Sequence, residues 1–175
     1  FIVGTRGGDV TIRIRPDDQH FDDIAVDMGV PLGEDEPTTH VTTEVGHFTG
    51  TPVWIPNPHC VAIMGFGEEA GSLRDAPALD PAATFPHGAN VEFVEPISQD
   101  HIRMRTFERG VGETMACGSG ACAAAHVWAT RQGLTGQWTV RVDVLGGTLF
   151  VDRHATGHVT LRGPARIVAQ GHTWM

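Results

Sequence analysis

A chain of 175 residues and 18.8 kDa has the size of one domain or, at most, two small lobes around a single cleft. With 41% apolar and 19% charged residues it has enough apolar surface to bury a substantial core, which excludes a disordered chain. Its 12 basic residues are all arginines, scattered along the sequence, and its 21 acids leave a formal charge of −9, which excludes nucleic acid and anionic membrane as expected partners. Lys and Tyr are both absent, so the chain has neither the lysine of an internal pyridoxal-phosphate Schiff base nor that of a Walker-type phosphate loop. No apolar run approaches the roughly 18 residues of a membrane helix, and Phe1 to Arg6 lack the layout of a signal peptide. The three cysteines, Cys60, Cys117 and Cys122, are an odd count in a chain too large to need staples, so free thiols and a cytoplasmic location are expected. The opening Phe1-Ile2-Val3-Gly4 reads like the interior of a protein, and the expectation is that the chain is a piece of a longer one.

The chain begins with β character. Asp9 to Arg15 and Ile24 to Met28 alternate with the period of half-buried strands around a turn at Pro16-Asp17-Asp18. A loop at 31–37, rich in Pro, Gly and acids, precedes strand-like His40 to Val45 and Cys60 to Met64. Prolines 77, 81 and 86 limit the stretch from Gly65 to Gly88 to one short helix. Val91 to Val94 and His101 to Phe107 are again strands. The period then changes: Ala121 to Gln132 has the strongest helix propensity in the chain and stops at Gly133, a residue suited to a left-handed cap. Trp138 to Val144, Thr148 to Val151, His158 to Leu161 and Ala165 to Ala169 close the chain as short strands, the first two joined by a hairpin turn at Gly146-Gly147.

The most informative segment is Glu108-Arg109-Gly110-Val111-Gly112-Glu113-Thr114-Met115-Ala116-Cys117-Gly118-Ser119-Gly120-Ala121-Cys122. It sets a thiol and several glycines against a helix start. Free N–H groups and the positive dipole end at such a start favour anions, which predicts a lowered Cys117 pKa and a carboxylate site at Gly118 and Ser119. The Ser119 hydroxyl either caps the helix or joins that site. The plainer reading is a Gly-rich turn leading into a buried Ala-rich helix, with the cysteines as small hydrophobes. Cys122 fits it: five residues on, roughly 500° around a helix, it points away from Cys117 and disfavours a redox pair. Cys60, among strand residues, also reads as core. None of the ten histidines has metal-ligand spacing, so no metal site is expected.

The run Phe107 to Ala124, with Asn57-Pro58-His59-Cys60 and Gly88-Ala89-Asn90-Val91-Glu92-Phe93, closely resembles the diaminopimelate epimerases. The likeness continues through Leu145-Gly146-Gly147-Thr148-Leu149, Gly157-His158-Val159 and Gly163-Pro164-Ala165. The resemblance implies an α+β fold in which a mostly antiparallel β-sheet wraps a central α-helix, repeated in two pseudo-symmetric lobes with the substrate between them. This chain then corresponds to the C-terminal lobe at 18–162, flanked by strands at 1–17 and 163–175 that belong with an N-terminal lobe absent from the sequence.

The activity implied is a cofactor-independent isomerisation, the interconversion of LL- and meso-2,6-diaminopimelate on the route to lysine and peptidoglycan. One cysteine thiolate removes the α-proton and a second cysteine returns one on the opposite face. Cys117 matches one member of the pair; nothing here matches the other, so the chain alone is expected to be inactive. The resemblance assigns Gly118 and Ser119 to the α-carboxylate, Glu108 to the α-amine side and, with His59, to tuning the cysteines. It assigns Arg109 to the distal carboxylate, with Asn57 and Asn90 as polar grips on the distal end. Glu113, inside the same motif, is taken as structural. The partners expected are the diaminopimelate substrate and the N-terminal lobe, with a homodimer left open. The rivals are a proline or hydroxyproline racemase-like enzyme, for which the distal grips would have no counterpart, and a non-catalytic carboxylate-binding lobe.

Overall fold

The computed structural model describes residues 1–5, 8–14, 23–33 and 37–172. Its one α-helix among the described residues, α1 (Gly118–Arg131), is buried without interruption from Gly120 to Ala129. A helix with no solvent face must be enclosed on every side, and its small side chains allow the enclosing backbone to come close. The enclosure is a curled sheet. Strands β5 (His47–Trp54), β6 (Pro58–Ile63), β8 (Asn90–Ser98), β9 (His101–Glu108), β11 (Trp138–Val144), β12 (Gly147–Arg153) and β13 (Val159–Gly163) all touch α1.

The strands run in the order β1-β2-β3-β13-β12-β11-β9-β8-β6-β5-β4-β7, where β1 is Ile2–Thr5, β2 Gly8–Ile14, β3 Ile24–Gly29, β4 Thr39–Thr42 and β7 Ala78–Asp80. A short β10 (Gly112–Thr114) pairs with β9 off this path. Among the described residues every pairing is antiparallel except β6 with β8 and β9 with β11. This is the expected α+β arrangement, a mostly antiparallel sheet around one helix.

Alternation along the strands divides the core in two. Val53, Val61, Val94, Ile102, Met104, Val142 and Val151 face inward onto α1. Val41, Cys60, Ala62, Val91, Phe93 and Phe107 face outward, where Leu73, Phe85 and Ala89 of the 65–89 segment cover them. Phe93 is fully buried there and meets the Phe48 ring edge-on at 5.4 Å.

Several expected elements differ. The short helix between Gly65 and Gly88 is only a 3-10 turn, Ala82–Thr84, because the prolines leave room for no more. Ala165 to Ala169 is not a strand: β13 ends at Gly163, before Pro164, and Ile167 and Val168 stand exposed. The β5 strand was not legible because Thr49-Gly50-Thr51-Pro52 reads as a turn. The structure tolerates Pro52 there since β4 pairs with β5 only as far as Gly50, leaving no β4 partner for a Pro52 N–H. The turn at Pro16-Asp17-Asp18 and the middle of the 31–37 loop lie outside the described residues.

Candidate functional site at the start of the central helix

The inner face of the sheet turns from apolar to polar at one end. Parallel strands β6 and β8 begin side by side there, with His59 opposite Asn90, and β9 ends there, with Phe107 opposite Val91 and Glu108 next in line. The start of α1 lies against them. Four chain segments thereby bring Asn57, His59, Asn90, Glu108, Arg109, Cys117, Gly118 and Ser119 to the same end of the fold. Alternation aims His59, Asn90, Glu92, Thr106 and Glu108 inward, on the face that carries Val61, Val94 and Met104 further along.

Cys117 is the residue immediately before α1, in extended conformation at φ −130° and ψ 111°. Its residue surface is 6% exposed. The sulfur lies 3.7 Å from Asn90 Nδ2 and 3.7 Å from Ser119 Oγ. The first helical bond runs from the Ala121 N–H to the Cys117 carbonyl, so the Gly118 and Ser119 N–H groups have no partner within the helix and remain available to an anion. Ser119 does not cap the helix; its hydroxyl turns to the sulfur.

The expected depression of the Cys117 pKa is overturned. Burial pushes the thiol above its ordinary value, and the carboxyls of Glu92 and Glu108 add to the rise; the Gly120 N–H and the Ser119 hydroxyl pull the other way without winning. Burial first, and then the two acids on the facing strands, outweigh the helix start.

Asn90 joins the two sides of the site: its Nδ2 faces the sulfur, and its Oδ1 accepts the Arg109 N–H at 3.0 Å. Glu108 accepts a hydrogen bond from Thr114 Oγ1 at 2.6 Å. The Arg109 Nη1 donates to the carbonyls of His87 and Gly88 at 3.0 and 3.1 Å, which leaves Nε and Nη2, an edge suited to a carboxylate, unengaged among the described residues. That side chain lines a cavity of about 330 Å³ with Arg74, Leu79, Val91 and Phe107. Val91 and Phe107 face outward, so this cavity lies on the side of the sheet away from α1. Asn57 sits half-buried just before β6, its carbonyl accepting the Ile55 N–H.

The model of the family described as diaminopimelate epimerase matches residues 53–168. The chain belongs to the diaminopimelate epimerase family. It is 42% identical over 97% of its length to the diaminopimelate epimerase of Streptomyces coelicolor, 41% identical over 98% to that of Corynebacterium glutamicum, and 34% identical over 98% to that of Bacillus subtilis. It spans 58%, 61% and 64% of those relatives. Among solved structures, a hydroxyproline epimerase from Agrobacterium vitis matches with a TM-score of 0.67 at 15% identity, covering 93% of this chain and 55% of that one. A PhzF-family phenazine biosynthesis protein from Bacillus anthracis matches at 0.58 and 12% identity, covering 93% and 64%. At these identities the likeness is one of fold, and a proline-racemase-like reading has no support beyond it.

Glu92 is the residue of this epimerase-family site that sequence reasoning passed over, although the motif containing it was in view. It is fully buried, and its Oε1 lies 2.8 Å from His59 Nδ1. Burial drives its pKa up, against the pull of His59. The signal was present: a charged residue two positions after Asn90 on a strand must share Asn90's face, and that face is the interior. Glu113 is structural as expected, held by Arg105 through two bonds of 2.6 and 3.0 Å. Cys60 and Cys122 are buried thiols of the core.

Proposed function

We propose that this chain supplies one half of the active site of an enzyme interconverting LL- and meso-2,6-diaminopimelate, with Cys117 as one of two cysteine acid/base groups. The observation that carries the reading is the placing of a single thiol at the mouth of α1, beside two N–H groups free to hold the substrate α-carboxylate. A base on the far side removes the Cα proton, and negative charge spreads onto the α-carboxylate. The Gly118 and Ser119 N–H groups stabilise that charge. The Cys117 thiol gives its proton to the opposite face of Cα and becomes the thiolate; in the reverse direction that thiolate takes the proton back. Burial and the nearby carboxyls favour the protonated form, which suits Cys117 to begin as the donor.

Glu108 serves the α-amine side, His59 tunes the sulfur, and Asn57 and Asn90 hold the distal end, while the free edge of Arg109 faces the outer side of the sheet, away from the sulfur. The second cysteine lies on a further lobe that these 175 residues do not include, and the reaction is cytoplasmic. In the full-length protein, replacing Cys117→Ser lowers kcat for diaminopimelate by about 100-fold or more while KM changes little, because the hydroxyl binds in the same space but is a far weaker acid. The 175-residue chain alone shows no sustained turnover. Near-normal kcat in the Ser variant, or steady turnover by the chain alone, overturns the respective claim.

A further inference from the structure

Beyond the substrate groups, a second set of polar side chains is sealed inside the sheet. His59 and Glu92 are both fully buried and bonded to each other at 2.8 Å. Each has a further polar atom, His59 Nε2 and Glu92 Oε2, with no hydrogen-bond partner among the described residues, and so does Thr106, which lies directly across from Glu92 on β9. Burying such a pair costs desolvation energy that their mutual attraction need not repay. Its neighbour is the start of α1. A side-chain carbon at Gly120 would lie 2.5 Å from Glu92 Oε1 and 3.2 Å from Cys117 Sγ, so the carboxyl and the sulfur flank the same glycine, and only the missing Cβ lets them approach.

We propose that Glu92 is a positioning residue for Cys117: its buried carboxyl, oriented by His59 and admitted by Gly120, sets the pH at which the sulfur gives up its proton. This rests on the acid/base reading of Cys117. The groups that act on the sulfur are Glu92 and the Asn90 amide on β8, Glu108 on β9, and the Gly120 N–H and Ser119 hydroxyl of α1, while Cys122 lies further along the same helix. Strands β5, β11, β12 and β13 present Val53, Val142, Val151 and Leu161 to the helix, and β6 presents His59 through Glu92. Of the two acids, Glu92 is the one without exposure to water, so its field is the less screened.

The test is the pH dependence of Cys117 alkylation by iodoacetamide in the full-length protein, read by mass spectrometry of the peptide carrying Cys117. Glu92→Gln keeps a hydrogen-bonding group for His59 but can carry no charge at any pH, and the midpoint moves to lower pH by about one unit. An unchanged or higher midpoint overturns the proposal. Should that variant fail to fold, the carboxyl carbon signal of Glu92 in ¹³C-labelled protein decides instead. Interaction between titrating groups is mutual, so the signal shows a step at the thiol midpoint that disappears in Cys117→Ser; a signal blind to the thiol overturns the proposal. Neither readout needs turnover. Absent epimerisation with the shift intact counts against the function, and normal epimerisation without the shift counts against Glu92 alone.

Discussion

Cys60 shows how a buried thiol becomes a stability term. It lies on β6 facing outward, with no exposed surface, and burial, helped by Glu92, pushes its thiol from near 9 up to about 12. Between those values the unfolded chain has released the proton and the folded chain still holds it. The native state then binds more protons, and stability falls as pH rises, by up to about 1.4 kcal/mol per pH unit from this group. Cys117 and Cys122 are raised too and act in the same direction. Urea midpoints of the full-length protein taken from about pH 8 to about pH 10.5 should therefore decline, and decline less steeply in Cys60→Ala; parallel slopes would show that Cys60 titrates alike in both states. The same reasoning applied to Cys117 from sequence alone reached the wrong sign. The helix start and Glu108 were legible, but the burial of the thiol and the approach of Glu92 from β8 were not, because both depend on tertiary packing.

At the level of elements, α1 is the axis on which the rest is hung. Its run of alanines from Ala121 announced a helix. The same run implied close packing on all sides, which a mostly β sequence could meet only by curling its sheet around it. Ala124, fully buried mid-helix, has no room for more. Ala124→Val adds two carbons and a branched β-carbon against the enclosing strands, and should cost about 1–3 kcal/mol in urea unfolding. A loss near zero would mean that the sheet does not close on this face. Elements with clean alternation, such as β9, were read to within a residue, and α1 starts three residues earlier and ends one residue sooner than its propensity predicts. Elements whose signal was broken by Gly or Pro were lost: β5 hid behind Gly50 and Pro52, and β10 is three residues long, shorter than any periodicity can reveal. Conversely Ala165 to Ala169 has strand-like residues but pairs with no strand among the described residues.

Across the whole molecule, the site is a consequence of topology. Two parallel strands must start at the same end, an antiparallel neighbour must finish there, and the helix enclosed by the sheet starts at that end; residues spread over 57–119 meet as a result. The motif pointed to the eight candidate positions, and the fold brings all eight to one end, with the Arg109 side chain on the outer side of the sheet. Alternation along β8 already put Glu92 on the face of Asn90; what the motif could not show was its pairing with His59, because that depends on β6 lying beside β8. The claim on which this reading stands is that Cys117 exchanges a proton with the α-carbon of an amino acid. Its most direct test is solvent deuterium incorporation at Cα of diaminopimelate, followed by NMR with the full-length protein in D₂O. Incorporation on wild-type protein that is lost in Cys117→Ser is the predicted result, and incorporation at an undiminished rate in that variant would contradict it.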